Sequence, residues 1–134
     1  MTHALLYPMA AHVALAALLY ALLTVARAPA VWGIGRRADG GNPLARIEPR
    51  LGANLSNQFE WPLFFHVACL LLLWLGRADA AAVALAWLFV AGRVLHSAVQ
   101  VLSGNVRLRG VVFMVNFVAV LGLWWLVVTA SHGP

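Results

Sequence analysis

The chain has 134 residues, 63% of them apolar and only 10% charged, where a soluble globular domain carries about a quarter charged residues. A water-soluble fold is excluded, and residues 1–134 read as one membrane domain with short connections. The formal charge is +5 and all nine basic residues are arginine. These arginines stand beside long apolar runs, so they read as topology signals, and no nucleic-acid partner is expected.

Crossing a bilayer core about 30 Å thick takes about 20 residues of helix. Four stretches reach that length: Ala4–Ala26, Leu51–Leu75, Ala78–Leu102 and Gly110–Ala130. Uninterrupted apolar runs lack the alternation that lipid-facing strands need, so helices are expected. Met1-Thr2-His3 supplies no firm positive charge, and the first run is expected to be a retained helix, not a cleaved leader. Pro8 lies near its start, where proline is tolerated. The run is expected to end near Ala26, broken by Arg27, Pro29, Gly33 and Gly35.

From Arg27 to Arg50 a loop is expected, with Asp39-Gly40-Gly41-Asn42-Pro43 as its turn signal. It carries Arg27, Arg36, Arg37, Arg46 and Arg50 against Asp39 and Glu48. The second run holds Asn54, Asn57 and Glu60, with Pro62 expected as a packing kink. Cys69 lies in its middle and reads as a small buried hydrophobe, with no partner for a disulfide and no metal cluster. A tight turn at Gly76-Arg77-Ala78-Asp79 leads to the third run, which carries Arg93, His96, Ser97 and Gln100. The next connection, Ser103 to Arg109, is basic and includes Gly104, a residue suited to ending a helix. In the fourth run only Asn116 and Thr129 add polarity, so no polar stripe crosses the bilayer as a conducting path requires.

The arginine-rich first and third connections are expected on the cytoplasmic side, with both termini outside. Trp74, Trp124 and Trp125 then fall towards the outer interface, as an aromatic belt would. Short connections make successive helices antiparallel, and the expected fold is an all-α four-transmembrane-helix bundle. The alanine-rich, lysine-free composition points to a GC-rich bacterium, so the membrane expected is the bacterial inner membrane.

The costly residues gather at one depth. An ionisable group within a membrane span costs about 2.5–3.5 kcal/mol by insertion scales and marks a candidate functional site. At 100° per residue, Asn54 and Asn57 lie within about 40° of Arg50 on one helical stripe. Glu60 is an i, i+3 neighbour of Asn57. Arg93, His96, Ser97 and Gln100 share one face of the third helix. Two such stripes should face each other or a shared cavity on the cytoplasmic side. The plainer alternative is that Glu60 and Arg93 form an ion pair fixing helix register, with His96 bonded to a neighbouring carbonyl. Asn54 and Asn57 could equally serve helix packing, and Arg109 could mark only the inner face. His12 and Tyr20 on the first helix fit core packing better than ligand contact.

Arg50-x3-Asn54-x2-Asn57, followed by Gln58-Phe59-Glu60-Trp61-Pro62, resembles the second-helix signature of the MAPEG superfamily, the membrane-associated proteins of eicosanoid and glutathione metabolism. The string Arg93-Val94-Leu95-His96-x3-Gln100, with Arg109 sixteen residues beyond Arg93, is similar to the third-helix segment of its microsomal prostaglandin E synthase members. The tetrad from Asn57 to Glu60 looks most like a bacterial branch. The resemblance implies a homotrimer of four-helix subunits that binds glutathione near the cytoplasmic side and acts on lipophilic substrates. By position it implies that Arg50, Asn54, Arg93 and His96 bind or support glutathione and that Arg109 stabilises its thiolate; Asn57, Glu60 and Gln100, at the same depth, are expected to line the same site. Where glutathione-using members carry a glutamate three residues after the asparagine, Asn57 stands here and the carboxylate follows at Glu60. Where they carry a tyrosine, Gln100 stands here. The same superfamily includes lipid-presenting, non-enzymatic members, and a lipid-binding scaffold is the alternative function.

Overall fold

The computed structural model describes residues 3–130; the leader reading of Met1-Thr2 and the last residues of the carboxy terminus lie outside that range. Among the described residues the chain forms five helices and no strand: α1 (Leu6–Trp32), α2 (Glu48–Ser56), α3 (Trp61–Trp74), α4 (Ala80–Leu102) and α5 (Val106–Ala130). By length and composition α1, α4 and α5 can cross a membrane. The 14 residues of α3 reach only about 21 Å at 1.5 Å per residue. A fourth crossing therefore needs α2 or the segment between the two helices as well.

Two expectations are corrected. The first helix does not end at Ala26 but continues through Arg27 and Pro29 to Trp32. Proline inside a helix removes one backbone donor, and side chains from the following loop satisfy carbonyls around it. Arg36 donates from Nε to Pro29 O (2.6 Å) and from Nη2 to Ala30 O (3.3 Å), while Asn42 Nδ2 donates to Ala26 O (3.0 Å). Gly33, at φ +71°, adopts the left-handed conformation that ends the helix. The stretch expected as loop up to Arg50 closes with the first turns of α2, tied to α1 by Arg27 Nε and Glu48 Oε1 at 2.7 Å.

The second correction matters more. The run Leu51–Leu75 is not one helix, because it breaks between Ser56 and Trp61. Pro62, at the start of α3, has no N–H to give the carbonyl of Gln58, and its ring would collide with that carbonyl in a continuous helix. The chain instead turns tightly, with Gln58 N donating to Leu55 O and Phe59 N to Ser56 O, both at 3.0 Å. Glu60 takes φ −86° and ψ −95° before α3 begins. Pro62 thus marks a break and not a kink.

The main core lies between α3, α4 and α5. Phe65 and Phe89 stack at 4.0 Å between centroids, surrounded by buried Leu5, Ala68, Cys69, Leu72, Ala86, Ala119 and Leu123. α4 and α5 approach closely at Gly92, where an added Cβ would collide with the side chain of Asn116, and at Gly122 beside Leu85. Small residues at helix interfaces are how membrane helices gain contact in lipid, which offers no hydrophobic drive of its own. A second, smaller core joins Leu19, Leu23 and Ala26 of α1 to Leu51 and Leu55 of α2. Trp74 and Trp125 face outward, whereas Trp124 turns its indole to Phe64 O at 3.1 Å.

Candidate binding groove

The two polar stripes do meet. Gln100 Oε1 on α4 accepts from Asn54 Nδ2 at 2.8 Å and from Asn57 Nδ2 at 3.1 Å. Gln58 Nε2 donates to Ser97 Oγ and to the backbone and side-chain oxygens of Asn54, each at 3.2 Å. Arg93 is 1% exposed. Its Nε donates to Gln58 Oε1 at 3.2 Å and its Nη2 to Asn57 O at 3.0 Å. That carbonyl is offered to α4 because the helical run breaks immediately after Asn57. The break supplies the acceptors that let a guanidinium be buried here, where an unpaired charge would be costly.

Beside this network runs a groove between the α2–α3 break on one side and α4 and α5 on the other. Its inner part, about 430 Å³, is lined by Asn57, Glu60, Trp61, Phe64, Arg93, His96 and Phe113. Asn57, His96 and Phe113 also line the next part, about 420 Å³, together with Gln100 and Arg109. Gln100 and Arg109 continue into a third part, about 260 Å³, bounded by Arg50, Ser103 and Asn105. Arg50, Asn57, Glu60, Arg93, His96, Gln100 and Arg109 therefore line three hollows that adjoin one another through shared residues. Asn54 does not: it is fully buried behind Gln100 and fixes that side chain's amide.

Of the four charged side chains in the groove, Arg93 is held by Gln58 and Asn57 and Arg50 donates from Nη1 to Val101 O at 3.4 Å, which leaves Glu60 and Arg109 uncommitted among the described residues. Glu60 and Arg93 face the same inner space but form no ion pair; among the described residues the salt bridge is Arg27–Glu48. Glu60 is exposed and its carboxylate has no hydrogen-bond partner among the described residues. The half-buried guanidinium of Arg109 likewise has none. His96 is 4% exposed, sits edge-on to Phe113 at 6.1 Å, and keeps Nδ1 buried without a partner among the described residues. The plainer readings of a register-fixing ion pair and a carbonyl-bonded histidine are both overturned. No cluster of metal-ligating side chains occurs among the described residues.

Sequence reasoning passed over two residues. Gln58 joins α2, α4 and α1, and His66 pairs with His12 across α1 and α3, Nε2 to Nδ1 at 3.0 Å. Both are polar groups inside an apolar run, the same signal that singled out Glu60 and Arg93.

The MAPEG family matches this chain over residues 5–129. No curated protein and no solved structure matches it. With its three long apolar helices and a match along nearly its whole length, the chain is an integral membrane protein that belongs to the MAPEG family.

Proposed function

We propose that the groove binds glutathione and that the protein is a glutathione-dependent transferase or peroxidase acting on lipophilic electrophiles, as a homotrimer in a bacterial inner membrane with the groove on the cytoplasmic side. The observation that carries this reading is the charge pattern along the groove, with the free Glu60 carboxylate in its inner part and the Arg50 and Arg109 guanidiniums in its outer parts. A tripeptide with one ammonium and two carboxylates is complementary to that arrangement. Family membership supports the same ligand.

Arg109 is assigned to the thiol. A guanidinium stays charged at any working pH, and a fixed cation near a thiol raises its thiolate fraction. The thiolate sulfur then forms a bond to the electrophilic carbon of a substrate arriving from the lipid as that carbon's bond to its leaving group (chloride, in the probe below) breaks, and the chloride and the thiol proton pass to solvent. Trp61, Phe64 and Phe113 give the inner groove an apolar wall for that substrate. The test is turnover of glutathione with 1-chloro-2,4-dinitrobenzene by the detergent-solubilised protein, in wild type and Arg109→Ala. No turnover in the wild type, with glutathione bound, would remove the transferase reading.

A second reading, a non-enzymatic lipid-binding protein, has its own support. The amide oxygen of Gln100 is occupied by Asn54 and Asn57, so this position holds two elements together rather than a ligand. Lipid that co-purifies with the protein, alongside a complete lack of turnover, would favour it.

A further inference from the structure

The residues of the α2–α3 break divide between two sides. Asn57 and Glu60 line the groove, whereas Gln58 and Phe59 line a separate cavity of about 330 Å³ against α1. The walls of this second cavity are almost wholly apolar, from Val13, Ala16, Ala17, Phe59 and Leu63. Tyr20 also lines it, its ring 6.2 Å from that of Phe59 between centroids. The polar exception is the imidazole pair His12 and His66, backed by Gln58.

The direction of the hydrogen bonds along this pair follows from the network. Gln58 Nε2 faces the backbone carbonyl of Asn54, which can only accept, so the amide oxygen points the other way, towards Arg93 and His12. Arg93 Nε–H donates to that oxygen, and His12 must donate to it as well, from Nε2. With both imidazoles neutral, His12 Nδ1 then accepts from His66 Nε2–H. His66 carries its proton on Nε2, and its Nδ1 lone pair has no partner among the described residues. His66 is half-buried and lines the cavity, so its acceptor nitrogen belongs to a residue of a largely apolar wall.

We infer that this cavity is a second ligand site, separate from the groove, which takes an uncharged lipophilic hydroxyl compound of the phenol class, its O–H donated to His66 and its apolar body against α1 and Leu63. The chemistry is selective in a definite way. A ligand without a donor leaves the His66 lone pair unmet, and a charged ligand meets apolar walls that cannot solvate it. Large parts of α1, including Val13 and Ala17, are exposed, which gives a lateral route from lipid.

The test uses the full chain in nanodiscs, dialysed against protein-free nanodiscs of the same lipid, without glutathione, so that it is independent of the proposed transferase activity. The probes are 4-hexylphenol and its methyl ether. Saturable retention of the phenol about tenfold tighter than the ether is expected, the size of one hydrogen bond made away from water. His66→Leu should abolish that preference and leave the ether unchanged, and Ala17→Trp, which fills the cavity from its α1 wall, should remove both. Ala17→Trp keeps the proposal testable should His66→Leu fail to fold. Equal retention of phenol and ether, no effect of Ala17→Trp, or displacement of the phenol by S-methylglutathione would overturn the assignment.

Discussion

Arg93 gives its Nε–H to the amide oxygen of Gln58 at 3.2 Å, and that oxygen also lies 3.0 Å from Nε2 of His12. One uncharged side chain thus joins α1, the α2–α3 break and α4 while helping to bury a guanidinium. Removing it should be expensive. Gln58→Leu leaves two buried donors without an acceptor, at a cost of about 1–3 kcal/mol each. An average interhelical polar contact in a membrane protein is worth only about 0.6 kcal/mol. Asn57→Leu should cost less than Gln58→Leu, because Gln100 keeps Asn54 and the Asn57 carbonyl still accepts from Arg93. Reversible unfolding in mixed micelles checks the order; equal losses for the two variants would contradict it.

The groove should be reachable from water and the core should not. In a Cys69→Ala background, Glu60→Cys is expected to react with a charged, membrane-impermeant thiol reagent, whereas native Cys69, fully buried among Phe65, Ala68 and Leu72, should not react in the folded protein. Inverted and right-side-out vesicles distinguish the two faces, and labelling from the cytoplasmic side alone is the expected result. S-methylglutathione should slow the reaction.

Arg109→Ala should lower turnover by about a hundredfold, the scale set by removing one charge-stabilising donor from a reacting site. Arg109→Lys should recover part of that loss, since the charge returns without the planar fork. Arg77→Ala, in the turn between α3 and α4 and away from the groove, should change nothing. Steady-state rates for the three variants check this, and an unaffected Arg109→Ala would reduce that arginine to a topology marker.

Much of the site was legible beforehand because one rule applies to every residue of a membrane span: a costly polar group needs a partner or a cavity. That rule found Glu60, Arg93, His96 and Gln100, and helical spacing placed Arg50, Asn54 and Asn57 opposite them. It was not carried through to Gln58 and His66, although both are polar groups within an apolar run, and it left His12 as core packing. The break at residues 57–60 was the other omission. Hydropathy is indifferent to whether an apolar run is continuous, and Pro62 was read as a local kink when the residues before it already fold into a turn. Because of that turn, the carbonyl of Asn57 is open to the Arg93 guanidinium, a backbone acceptor that a helical wheel of side chains does not show. The end of α1 escaped for a similar reason: the side chains that support Pro29 come from Arg36 and Asn42, on the far side of a turn.

The contact of α4 with α5 should tolerate no bulk at Gly92. A Cβ there meets Asn116, which is fully buried, and Gly92→Val must push the helices apart at a cost of about 1–3 kcal/mol. Because Arg93 is the next residue and Phe113 lies on the facing helix, the same variant should weaken groove ligands. Gly104→Val, at a position with open surroundings except for the tip of Arg50, should leave stability within about 0.5 kcal/mol.

The groove's identity is tested most directly by calorimetric titration of glutathione into the detergent-solubilised trimer or monomer, whichever is isolated. A saturable heat at or below millimolar glutathione, weakened at least tenfold by Glu60→Gln combined with Arg50→Ala, is the predicted result. Absence of any heat at millimolar glutathione, in protein whose unfolding transition is intact, would contradict it.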